Sequence, residues 1–156
     1  MKGKSRIAIS GIVQIEHRRA DGTLVSKQRV ENRVVNIGLD WLKALMAAAG
    51  SGQSLYIGLS SAVGEPAAGD TDLGATVYTA YGLERALGAY AAGGTGVFTV
   101  TKTFTCTADT KVVASLGLYW TVATGSTLFA GVACTSTTLM NTDTLAVTWT
   151  ITLTSV

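Results

Sequence analysis

Side chains able to do acid–base, nucleophilic or metal chemistry are few and scattered in this sequence. There is one histidine, His17, set between Glu16 and Arg18. A Ser–His–acid triad would have to use it, because a general base must take the nucleophile's proton. No G-x-S-x-G elbow is present to expose a serine. His17 is therefore expected to be an exposed polar residue on a strand. Cys106 and Cys134 are 28 residues apart, with no C-x-x-C or zinc spacing around either. They read as two free, buried thiols packed as small hydrophobes. Asp70-Thr71-Asp72 comes nearest to a cation site. A calcium loop supplies more oxygens and a later bidentate acid, so a hydrogen-bonded turn is expected here. Glu84 and Asp143 have no spacing that pairs them. Gly93-Gly94-Thr95-Gly96 is followed by neither a lysine nor a helix, which a phosphate cradle requires. The reading is a non-enzymatic structural or interaction module, with no catalytic residue, no cofactor and no metal.

The charge is as sparse as the chemistry. Of 156 residues only 14% are charged, while 47% are hydrophobic and threonine, with 23 copies, is the commonest residue. This excludes a charged coiled coil or a highly charged disordered tail. The net charge of +2 hides an asymmetry: residues 1–43 hold nine of the twelve Lys and Arg against four acids. A basic segment of this kind suits an anionic surface or an acidic protein face. Nucleic acid is not expected as the principal ligand, since no Arg-rich block or aromatic-plus-basic signature accompanies it. The start of the chain is too polar for a signal-peptide core. Val112 to Asn141 carries no charge, but its period of two and its Thr124-Gly125-Ser126-Thr127 break favour buried strands over a membrane span.

The elements follow from periodicity. Residues 6–31 predict a β-hairpin: Ile7, Ile9, Val13 and Ile15 share one face, and Asp21-Gly22 is a strong turn signal. Residues 37–49 predict one short α-helix, capped by Asn36, with Leu39, Leu42, Leu45 and Met46 on one stripe and Gly50 at its end. Ser54–Ser60 predicts a short strand, residues 61–76 a long loop, and Tyr78–Leu87 a further strand. Ala91–Gly96 reads as a flexible turn. Phe98–Thr107, Val112–Val122, residues 128–134 and Leu145–Thr154 alternate cleanly. In the last, Leu145, Val147, Trp149, Ile151 and Leu153 face one way, and Thr148, Thr150, Thr152 and Thr154 the other. Thr suits the exposed face of a sheet without adding charge. The expected fold is a single, mainly β domain over residues 1–156: an antiparallel β-sandwich, jelly-roll-like, with one short α-helix and a basic N-terminal arm and hairpin at about 1–31. Its last four strands form a meander or part of a jelly roll.

Three segments carry a family resemblance. Val30-Glu31-Asn32-Arg33-Val34-Val35-Asn36-Ile37-Gly38-Leu39 leads into the predicted helix. Leu55-Tyr56-Ile57-Gly58-Leu59-Ser60 is followed by Pro66 and Asp70-Thr71-Asp72-Leu73. Gly117-Leu118-Tyr119, Leu128-Phe129-Ala130 and Asp143-Thr144-Leu145-Ala146-Val147-Thr148-Trp149-Thr150-Ile151 close the pattern. Together they resemble small virion proteins of tailed bacteriophages, whose members are described as tail, fibre or capsid-associated. The sequence departs from that pattern at Gly131, where an Arg is common, and at Ser115, where an acid is common.

The resemblance implies a virion protein made in the host cytoplasm. Within it, a capsid decoration (cement) protein on the outer surface of the major capsid shell is the leading expectation. The partners would be the major capsid protein or other virion proteins and a second or third copy of the chain, as a dimer or trimer, with no membrane involved. The basic N-terminal part would make the contacts, through Lys2, Lys4, Arg6, Arg18, Arg19 and Arg29, with the 61–75 loop as a second contact. One alternative is a tail, baseplate or fibre-attachment component. Another is a glycan-binding β-sandwich using Tyr78, Tyr81 and Tyr90.

Overall fold

The computed structural model describes residues 7–38, 55–74, 77–123, 125 and 127–155. Two five-stranded antiparallel sheets enclose a shared core, the sandwich-like arrangement expected from the alternation. The strands are β1 (Ile7–Arg18), β2 (Leu24–Glu31), β3 (Arg33–Val34), β4 (Tyr56–Ser60), β5 (Ala86–Leu87), β6 (Ala89–Ala92), β7 (Val97–Thr105), β8 (Lys111–Tyr119), β9 (Leu128–Leu139) and β10 (Thr144–Ser155). The first sheet runs β2-β1-β10-β7-β6 and the second β3-β9-β8-β4-β5.

The N-terminal hairpin forms as its sequence requires. Gly22 takes φ +86°, and Arg19 and Thr23 close the turn, with the Arg19 N–H bonding the Thr23 carbonyl at 2.9 Å. The last four strands do not form a meander. β7 and β10 lie together in the first sheet, with Trp149 opposite Val100, while β8 and β9 pair in the second. The β7–β8 and β9–β10 connections cross the sandwich from one sheet to the other. Val13, Ile15, Val100, Phe104, Leu145, Val147, Trp149 and Ile151 of the first sheet meet Ile57, Leu59, Leu116, Leu118 and Val132 of the second in one apolar core. Burying aliphatic and aromatic side chains of this kind contributes about 1.5–3 kcal/mol each.

The second sheet is covered on its other side as well. Every residue from Val113 to Tyr119 and from Leu128 to Val132 is buried. The outer cover comes from the long loop after β4: Leu73 packs with Val35, Tyr119 and Leu128 in a second apolar cluster. Gly131 makes the close approach possible, since a Cβ there would lie 2.7 Å from Pro66 Cγ.

Two expected elements take different forms. Tyr78–Leu87 is not a continuous strand. Val77 makes an isolated bridge to Ser60, and Tyr81 and Gly82 adopt φ of 71° and 72°, which bends the chain before the two-residue β5. The expected turn at Ala91–Gly96 begins as strand, because β6 pairs with β7 and the turn proper follows at Gly93–Gly96. The expected helix is seen only at its first turn, Asn36–Gly38; the remainder of 37–49 lies outside the described residues. Among the described residues no helix is long and apolar enough to cross a membrane.

Candidate interaction surface

Alternation along β10 and β7 decides which side chains face outward. Leu145, Val147, Trp149 and Ile151 are buried, so Thr144, Thr148, Thr150 and Thr152 lie on the other face. The register sets Thr144 opposite Thr105, Thr148 opposite Thr101 and Thr150 opposite Thr99. The outer face of the first sheet is thus lined by paired threonine hydroxyls and methyls, without a charge on β10.

Charge enters where this face meets the β1–β2 hairpin. Glu16 stands opposite Lys27, and Gln14 opposite Arg29. Lys27 Nζ lies 2.9 Å and Arg18 Nη2 3.5 Å from the Glu16 carboxylate. The bond from Lys27, then its charge, holds the Glu16 carboxyl below its ordinary value. Arg18 also donates to the Gly22 carbonyl at 3.0 Å. Arg18, Lys27 and exposed Arg29 therefore share one corner of the outer face. Such exposed pairs stabilise the fold little.

Arg19 is not part of that corner. Its guanidinium lies 3.6 Å from the buried Asp143 carboxylate while the side chain stays half exposed. Lys2, Lys4 and Arg6 lie outside the described residues. Of the six expected contact residues, the structure brings Arg18 and Arg29 to one face and directs Arg19 elsewhere.

His17 corrects an expectation. It is 2% exposed, not a surface residue. Its Nε2 donates to Asp143 Oδ2 across 2.7 Å, and the same oxygen accepts the Met140 N–H at 3.0 Å. Burial pushes the Asp143 carboxyl up, but the Met140 N–H, the His17 bond and charge, and Arg19 together hold it below its ordinary value. The pair fastens the β9–β10 turn to the end of β1. A cleft of about 220 Å³ opens beside it between β2 and β9, lined by His17, Arg19, Gln28 and Thr137 among others. The signal was present in the sequence: His17 has the parity of Val13 and Ile15, and Asp143 that of Leu145 and Val147, so both fall on inward positions.

A second polar knot was also missed. Arg85 is 8% exposed and lies over the Tyr119 ring, 3.5 Å from its centroid. It donates to the carbonyls of Ala123 and Thr121 and approaches Asp72 Oδ1 at 3.4 Å, an oxygen that also accepts the Tyr119 hydroxyl at 2.9 Å. Burial first, and the Asp72 carboxylate next, raise the Tyr119 pKa well above its usual value. Asp72 is thereby a structural anchor that ties the long loop to the β8–β9 turn. Asp70 closes its own turn by accepting the Ala67 N–H at 2.8 Å. Among the described residues no three His, Cys, Asp or Glu side chains converge as metal ligands.

The remaining expectations are local. Cys106 and Cys134 are free thiols, Cys106 buried and Cys134 half-buried. Burial, with Glu65 nearby, pushes the Cys134 thiol up to about 11. The three tyrosines do not form one patch. Tyr78 donates to the Val112 carbonyl at 2.7 Å, Tyr81 faces Lys111, and Tyr90 packs on Phe98. No protein-family model, curated protein or solved structure matches the chain.

Proposed function

We propose that this chain is a non-enzymatic virion structural protein of a tailed phage. Its place in this reading is that of a jelly-roll-like decoration protein on the outer surface of the major capsid shell. The observation that carries the reading is the outer face of the first sheet: paired threonines over β7 and β10 beside the Arg18, Lys27 and Arg29 corner. An uncharged hydroxyl face whose hydroxyls find partners lies against a protein surface at a lower desolvation cost than a charged one, and a basic corner orients it toward acidic groups. Repetition over many copies on a shell makes weak individual contacts sufficient. The polar side chains that might have done chemistry are instead spent on the fold, His17 on Asp143 and Asp72 on Arg85 and Tyr119.

The resemblance supports the phage assignment through residues with structural duties in this chain. Val35 is buried in the second cluster, the Asn36 N–H bonds the Ala68 carbonyl at 2.8 Å, and Gly38 admits the Phe129 carbonyl where a Cβ would clash. Binding of the purified chain to undecorated shells tests the proposal. Arg18→Glu with Arg29→Glu should weaken binding at least about tenfold, and rising salt should do the same to the wild type. Binding unchanged by both treatments would overturn the assigned face.

A further inference from the structure

The segment Ala86–Ala92 forms the edge of both sheets in turn, β5 closing the second and β6 the first. The other edges are short or guarded. β3 and β5 have two residues each. β2 carries Lys27, Arg29 and Glu31, and the Gln28 carboxamide stitches it to the other sheet, accepting the Thr135 N–H at 2.9 Å and donating to the Thr135 carbonyl at 3.1 Å. Charges of this kind are the usual protection of an edge strand. β6 has none: Ala89-Tyr90-Ala91-Ala92 is uncharged, free of proline and exposed throughout.

Hydrogen-bond alternation shows which groups β6 offers. The Gly93 N–H bonds the Val97 carbonyl at 2.9 Å, on the β7 side. In an antiparallel ladder, alternate residues turn both backbone groups to the same neighbour. Ala91 and Ala89, opposite Thr99 and Thr101, therefore face β7. Gly88, of the other parity, donates away from β7, to the Leu55 carbonyl at 2.9 Å. Tyr90 and Ala92 share that parity and point their N–H and C=O groups at the open edge. Beside them stand apolar side chains: Tyr90 is 68% exposed and lies on Phe98 with centroids 5.6 Å apart, and Leu87 is 52% exposed.

We propose that β6 is a strand-addition site, at which a second copy of this chain pairs antiparallel with Ala89–Ala92 and joins two first sheets edge to edge. A second copy fits because antiparallel self-pairing of an uncharged strand sets no like charges against each other, and a two-fold axis brings both copies' Tyr90 and Leu87 under cover. Four residues bury less than a standard interface, so the association is weak, with a Kd on the order of 100 µM to 1 mM. The proposal stands on the edge itself and is independent of the capsid reading, since it concerns the isolated chain.

Sedimentation equilibrium from about 10 µM to about 1 mM tests it. The wild type should show a monomer–dimer equilibrium. Ala92→Pro removes an outward N–H without touching the β7 ladder, and Tyr90→Lys places a charge on the edge. Each should raise the Kd at least about tenfold while leaving the thermal transition in place. Hydrogen exchange should show the Tyr90 and Ala92 amides gaining protection on dimerisation, and those of Ala89 and Ala91 already protected in the monomer. A wild type that stays monomeric at about 1 mM, or a dimer that neither variant weakens and whose Tyr90 and Ala92 amides gain no protection, would overturn the proposal.

Discussion

At the scale of single residues, the chain uses its few ionisable groups as fasteners. The His17–Asp143 pair is the clearest, being buried at the junction of β1 with the β9–β10 turn. Its consequence is a pH dependence whose direction is fixed. The folded Asp143 carboxyl titrates below its ordinary value, so the unfolded chain takes up that proton first as the solution is acidified. The stabilisation is fully present above a pH of about 4, the unfolded value, and is lost as pH falls through the folded one. Asp143→Asn should cost about 1–3 kcal/mol at neutral pH and flatten the acid limb of the stability curve. Thermal melts of both proteins from neutral pH into the acid range would check this; parallel acid limbs would contradict it. The position was legible in the sequence, since parity placed both residues inward. The pairing was not, because 126 residues separate them and only the β1–β10 register brings them together.

At the scale of elements, sequence and structure agree where a strand has one wet face and diverge where a remote segment covers it. β10 is the first case: from Leu145 to Ile151 its apolar positions are buried and its threonines lie half-buried on the other face, while Leu153, expected with the apolar set, is exposed. β8 is the second. Ser115 and Gly117 stand on the smaller, more polar side of its alternation, yet both are buried, because the loop carrying Pro66 and Leu73 folds back over the sheet. Small residues between large ones were the visible sign that something packs there, but nothing local names the partner. Only the Ala91–Ala92 end of β6 falls in the expected turn; Ala and Gly have low strand propensity, and pairing with β7 overrides it there. Gly131 depends on the same remote cover. A bulkier side chain there meets Pro66, so Gly131→Val should destabilise the fold by about 1–3 kcal/mol. It should also speed proteolysis within residues 61–74. Denaturant melts and limited proteolysis would measure both, and a variant as stable and as resistant as the wild type would show that the loop does not depend on this contact.

At the scale of the whole molecule, the scarcity of charge resolves into an arrangement. The threonine face, the basic β1–β2 corner and the bare β6 edge are separate features, suited respectively to broad contact, orientation and strand pairing. A decoration protein draws on the first two many times over, since its copies tile a surface and their contacts add. The most direct measurement of the proposed decoration role is cryo-electron microscopy, with copy counting by quantitative mass spectrometry, of the tailed-phage particles in which that role would place the chain. In that role the chain is expected at hundreds of copies on the outer shell surface, with the threonine face and the Arg18–Arg29 corner turned toward the capsid subunits. Six to a few dozen copies confined to the tail or baseplate, or particles without the chain, would contradict it.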